Sequence, residues 1–385
     1  MRRTHLATYA TSVGVWGPVS VAVMGAGNGG CAVAGELSLS GHDVRLFNRT
    51  AARIERLVAQ DGINVARPGG TEFAKPSTIT TDLEVAVRGT SVLVICAPTP
   101  ALAAYVPLLK PLVRPDQLLL INPGHTGGAL YAYAALRGVA KECALLVCET
   151  ATLTHTCRMR DPGTVWIPHR VEKVSFAAMP ASDTPRAWER LQGLFPELAP
   201  VTSVLETSLE NLNAVEHPAQ MIANAARIED TGGEFKFYYE GTTPAVGRLI
   251  EAVDRERLAL AASFSLELPT FVEAFYKYGY TDRDGLASGT VYGAMQRSEP
   301  NRYIKAPSTL DHRYIYEDVG WGLVPWVHLA TRMGVDVPAM RALTTVASIL
   351  HGVDYLSTGL NLEMLGLDRF EPQEIRRYVA DGTVS

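Results

Sequence analysis

The feature that most constrains this chain is a run of glycines set between two different hydrophobic rhythms. Residues 19–24 (VSVAVM) form a short apolar run of strand type, Gly25-Ala26-Gly27-Asn28-Gly29-Gly30 follows at once, and an Ala- and Leu-rich segment of helical period comes next. Glycines at a strand-to-helix turn have separate duties. Gly25 permits the tight turn, Gly27 lets backbone approach a phosphate, Gly30 lets helix pack on strand, and Asn28 opens a helix whose free N–H groups face an anion. The turn therefore predicts a dinucleotide site in a parallel, doubly wound α/β domain.

A second strand over residues 43–47 ends where the adenosine ribose of such a dinucleotide lies. An Asp or Glu at that point accepts from both ribose hydroxyls, whereas this chain has Asn48-Arg49-Thr50, with Arg53 a helical turn further on. No carboxylate there repels a 2′-phosphate, and a guanidinium can clamp one. The expected cofactor is NADPH (NADP) rather than NADH. The opposing view makes Arg49 and Arg53 ordinary solvated surface charges.

At 385 residues the chain has material for two cores. A hydrophobic content of 47%, a charged content of 19% and a formal charge of −5 describe a soluble globular protein without a basic nucleic-acid surface. Five cysteines form no paired ligand motif, so reduced thiols in a cytoplasm are expected and zinc is not. Residues 1–18 read as a flexible extension: Met1-Arg2-Arg3 opens like a signal peptide, but Gly14 and Gly17-Pro18 interrupt it. No run reaches the ~18 apolar residues of a membrane helix.

Further strands are expected at 78–80, 91–96, 118–121 and 145–147, with TVWIP and VEKVSFAAM closing the sheet. Ala97-Pro98 after one strand and the second glycine-rich turn, Asn122 to Gly128, after another border the cofactor and the cleft. The boundary is expected near residue 200. Beyond it apolar residues recur three and four apart over 243–266, 268–278 and 319–350, which predicts a mainly α-helical second domain over 201–385.

Two segments of that half carry chemistry-bearing residues, Asn213-Ala214-Val215-Glu216-His217-Pro218 and His312-Arg313-Tyr314-Ile315-Tyr316-Glu317-Asp318. Together with Asn122-Pro123-Gly124, Thr156-Cys157-Arg158, Glu240 to Pro244 and Asp254 to Arg257, they make the chain resemble the opine dehydrogenase family of octopine/nopaline dehydrogenase type, from Val19 to about Leu350. The resemblance implies reductive condensation of an amino acid, or another amine, with a 2-oxo acid through an imine. It also implies His217 as acid/base, Asp318 as its carboxylate partner and Arg313 as anchor for a substrate carboxylate. A proton donor titrating near neutrality and a planar guanidinium suit those tasks.

Weaker candidates for substrate contact are Asn213, His125, Thr152 and Tyr314, with Thr150 and Thr154 equally suited to capping backbone. Glu216 and Tyr316 are local variations of unassigned purpose. Two other functions use the same residues. One is a simple reductase of the ketopantoate reductase kind, turning a 2-oxo acid into a 2-hydroxy acid; the other is a silent NADP-binding protein. A homodimer through the helical half is expected by family analogy.

Overall fold

The computed structural model describes residues 17–383, so residues 1–16 of the expected extension lie outside the described residues. Among the described residues up to 200 there are twelve strands: β1 Ser20–Met24, β2 Asp43–Phe47, β3 Ile63–Arg67, β4 Gly70–Ala74, β5 Thr78–Thr80, β6 Val92–Ile95, β7 Leu118–Ile121, β8 Leu146–Thr150, β9 His155–Asp161, β10 Thr164–Arg170, β11 Val174–Met179 and β12 Leu198–Pro200. The main sheet runs β12-β11-β8-β7-β6-β1-β2-β5, parallel from β8 to β5, with β11 antiparallel to β8. The strand order reverses at β1 and β6. Open α/β sheets bind ligands at that point, because loops leave it in opposite directions and open a crevice.

The central strands are apolar on both faces. In β1, Ala22 and Met24 join the core shared with the helical half, while Val21 and Val23 join a second core under the helix Asn28–Leu39. Burial on both faces explains why these strands read as continuous apolar runs rather than alternating ones.

One expectation about the sheet needs correction. TVWIP does not close the main sheet. Its strand, β10, lies in a second sheet of order β4-β3-β10-β9, and only β11, from the VEKVSFAAM run, joins the large one. Residues 67–70 make the turn of the β3–β4 hairpin.

After β12 the described chain is helical, apart from one isolated bridge between Lys236 and Lys305. The longest helix, Pro244–Ser263, starts with a Thr243 cap and proline in its first turn. Thr270 and Glu273 form a capping box at the start of Phe271–Lys277. The expected stretch 319–350 is divided: a π-helical turn, Val319–Leu323, leads into Val324–Met333, Gly334 at φ +70° ends that helix, and Pro338–His351 follows. Fully buried Trp326 and Leu323 anchor this region, and burying a large apolar side chain contributes about 1.5–3 kcal/mol. Among the described residues no helix is long and apolar enough to cross a membrane.

Candidate active site

The glycine turn is built as its sequence demands. Gly25 holds φ +109°, and a Cβ there would meet the Cys96 carbonyl oxygen at 2.3 Å; a Cβ on Gly30 would lie 1.6 Å from the Gly25 carbonyl oxygen. Gly27 differs: a Cβ there meets nothing within 4 Å, and as the N-cap of Asn28–Leu39 it offers the helix's first N–H groups no side-chain cap. These features fit a dinucleotide pyrophosphate.

The flanking residues divide into braces and free groups. Asn48 is buried: its Oδ1 accepts from the Ala26 N–H at 3.0 Å and its Nδ2 donates to the Thr50 carbonyl at 3.0 Å, tying the glycine turn to the end of β2. Asn28 accepts from the Met159 N–H at 2.9 Å. Arg49 and Arg53 are exposed and have no ion-pair partner among the described residues. Thr50 is exposed, Ala97 half-buried and Pro98 exposed at the mouth of the crevice.

The second group of residues comes from the helical half. His217 lies in the middle of the helix Leu212–Ala223, one turn beyond half-buried Asn213. Asp318 lies just before the π-helical turn, which seats closely on that helix because a Cβ on Gly322 would come within 2.8 Å of the Ala214 Cβ. The result is a buried contact of 2.8 Å between His217 Nδ1 and Asp318 Oδ2, linking residues 101 apart. The other ring nitrogen, Nε2, lies 2.8 Å from the Tyr238 hydroxyl, which donates in turn to Tyr314 at 3.2 Å. Tyr314 stacks on the imidazole at 3.7 Å between centroids.

Each ring nitrogen of His217 therefore has its own partner, Nδ1 the Asp318 carboxyl and Nε2 the Tyr238 hydroxyl. Burial, reinforced by Arg313 and opposed by Glu317, pulls the imidazole well below its usual range; burial and then Glu317 push Asp318 up to about 8. Both directions have one leading cause: burial disfavours the charged form of each group, the imidazolium and the carboxylate alike. The pair stays neutral overall and keeps a proton to give.

Arg313 is paired with Glu317, not with Asp318. Its Nε donates to Glu317 Oε2 at 2.9 Å, and its side chain remains 40% exposed. Glu317 also accepts from the Thr99 N–H at 2.9 Å and lies 3.7 Å from His125 Nε2. This one carboxylate thereby joins the loop after β6 to the block that holds the acid/base pair. Despite burial, which opposes it, His125 and Arg313 keep Glu317 below the usual carboxylate range.

The remaining candidates separate by what their atoms already hold. Thr150 and Thr154 bond Asn122, so their hydroxyls brace the second glycine-rich turn. Thr152 is half-buried; buried His125 has φ +50° and an Nδ1 without a partner among the described residues. Sequence reasoning missed Tyr238 and gave Glu317 no role. The Arg313–Glu317 spacing of four could have signalled the second, whereas nothing in the Phe237-Tyr238-Tyr239 run signals the first. Among the described residues no cluster able to hold a metal ion occurs.

Fold and site together define an NAD(P)H-dependent oxidoreductase. Residues 200–351 match the family model described as NAD/NADP octopine/nopaline dehydrogenase, alpha-helical domain, and residues 21–168 match that of ketopantoate reductase PanE/ApbA. The opine dehydrogenase of Arthrobacter sp. (strain 1C) is 37% identical over 93% of this chain and 98% of its own. An octopine dehydrogenase solved with NADH and agmatine superposes with a TM-score of 0.78 at 21% identity, covering 95% of this chain and 99% of that one. A yersinopine dehydrogenase with NADP+ bound gives 0.72 at 14%, covering 94% and 98%. The chain belongs to the opine dehydrogenase family, whose members condense an amine with a 2-oxo acid and reduce the resulting C=N bond to CH–NH.

Proposed function

We propose that this protein joins an amino acid, or another amine, to a 2-oxo acid, with His217 as acid/base, Asp318 as its partner, Arg313 as carboxylate anchor, and NADPH preferred to NADH. The observation that carries the reading is the buried 2.8 Å contact between His217 and Asp318, with Nε2 turned away from Asp318 towards Tyr238. Residues 19–200 would hold the nucleotide, and the chain beyond would supply the proton-handling groups.

Each residue has a task its geometry suits. Expelling the carbonyl oxygen as water requires protons, and Nε2 of His217 can deliver one while the Asp318 carboxyl steadies the imidazole. Arg313 spends Nε on Glu317, which leaves both terminal nitrogens for a substrate carboxylate. Bound at the glycine turn, the nicotinamide cofactor supplies the hydride. Arg49 and Arg53, exposed and without ion-pair partners among the described residues, suit a 2′-phosphate. NADP+ in the yersinopine enzyme supports that choice, and NADH in octopine dehydrogenase makes it a question of preference.

An apolar stripe at Val346, Ile349, Leu350 and Val353 is exposed on and just beyond the helix Pro338–His351, which supports a homodimer through the helical half; sedimentation as a 41.6 kDa monomer would count against it. Five free thiols suit a reducing cytoplasm, which cell fractionation checks.

The test follows NADPH oxidation with a matrix of amines and 2-oxo acids. Oxidation that needs both partners is expected. Oxidation with oxo acid alone would give the simple reductase instead, and silence throughout a nucleotide-binding protein.

A further inference from the structure

We propose that Glu216 receives the positively charged nitrogen of the amine substrate and thereby commits the site to reductive amination rather than plain carbonyl reduction. The proposal rests on the reading of His217 as the proton-handling group.

Three carboxyls crowd the imidazole, and two are already committed: Asp318 holds Nδ1, and Glu317 holds Arg313 and Thr99. Glu216 is different. Its Oε1 lies 3.8 Å from His217 Nε2, the nitrogen that faces away from Asp318, and its Oε2 is buried without a partner among the described residues. Its side chain is only 7% exposed. A buried carboxyl with an open oxygen is unfavourable in the empty protein and calls for a partner that arrives later. Tyr238, Tyr280 and Tyr314 each feel the Glu216 charge, and burial first, then Asp318, raise the Glu216 carboxyl well above its usual range in the empty protein, the shift that an arriving cation reverses.

The reaction supplies such a partner at nearly every stage. The amine enters as an ammonium group, loses one proton, and uses the freed electron pair to form a bond to the carbonyl carbon. After addition the nitrogen gives up a second proton, the former carbonyl oxygen gains both and leaves as water, and the C=N bond that remains carries a positive charge on nitrogen. Hydride adds to carbon, and the secondary amine formed takes up a proton at neutral pH. Nitrogen is therefore cationic before, between and after the steps. Reduction of the oxo acid without amine instead builds negative charge on oxygen at the same place, which a carboxylate opposes.

The experiment compares wild type with Glu216→Gln and Glu216→Asp, following NADPH oxidation with and without amine. Wild type must first show amine-dependent oxidation; if it does not, the reductive-amination reading fails, and with it the premise of this one. Given that activity, Glu216→Gln is expected to lower kcat/KM for the amine about 100-fold, to raise amine-independent oxidation relative to amine-dependent oxidation, and to leave the NADPH Kd within about twofold. Glu216→Asp is expected to recover part of the loss. Amine kcat/KM within about threefold of wild type in Glu216→Gln would overturn the proposal. A second measurement needs no variant: the opine product should inhibit wild type at least about tenfold more tightly than its isostere with ether oxygen in place of the amine nitrogen, and equal inhibition would overturn the proposal equally.

Discussion

Two buried charged clusters lie in the helical half, and they are finished to different degrees. In the first, Arg257 is 1% exposed and every guanidinium nitrogen is used: Nε and Nη2 donate to Asp254 at 2.9 and 2.7 Å, Nη1 to the Leu209 carbonyl at 2.8 Å, and Nη2 also to that of Pro269 at 2.7 Å. Asp254 takes the Phe271 N–H with its second oxygen at 2.7 Å. In the second cluster His217 and Asp318 are paired, yet among the described residues Arg313 keeps two nitrogens unspent and Glu216 an oxygen. Both segments carry the family resemblance, so resemblance alone does not separate scaffold from chemistry. The open valences do: a cluster that serves the fold closes on itself, and one that serves a ligand cannot.

The sharpest way to break that contrast is to truncate one residue in each cluster and read stability and turnover together. His217→Ala is expected to lower kcat about 10²–10⁴-fold, the usual worth of a positioned acid/base, while NADPH binding stays near that of wild type. Its melting temperature should fall little, because Asp318, already raised to about 8, can remain protonated when its partner is gone. A folded variant with full turnover would remove His217 from the mechanism.

Arg257→Ala should do the reverse. Removing one partner of a buried pair strands the other, which typically destabilises by about 3–5 kcal/mol. Asp254 would be left in the core, and the Leu209 and Pro269 carbonyls would each lose a donor. A marked drop in the urea midpoint is expected, with kinetic constants of the folded fraction within about threefold of wild type. A large loss of kcat at unchanged stability would mean that the two clusters do not divide as their bonding suggests.

The same contrast explains what could be read in advance. The glycine turn was legible because its requirements are local: Gly25 and Gly30 are fixed by backbone atoms a few residues away and by the adjacent strand. Pairing of β10 with β3 was not, since strand partners a hundred residues apart leave no periodic mark, and TVWIP reads the same in either sheet. His217 and Asp318 could be joined only through family motifs. The Glu317 bridge to Thr99 spans 218 positions and appears only once the two halves are assembled. Asn48, at the point where a cofactor contact is expected, spends its side chain on the turn itself.

The smallest expected effect concerns Arg49, where an open valence says least. A surface guanidinium without a partner is ordinary, because water satisfies it, whereas the same condition in the interior is costly. Exposure also weakens any bond it makes to a phosphate. Arg49→Ala should therefore raise the KM for NADPH by only about tenfold and leave that for NADH within about twofold, narrowing the preference without reversing it. Arg53, also exposed, would retain part of the clamp, so the double variant should lose more than either single one. An unchanged ratio of the two constants in Arg49→Ala would return this arginine to the solvated surface, and the choice of cofactor would have to be made elsewhere in the crevice.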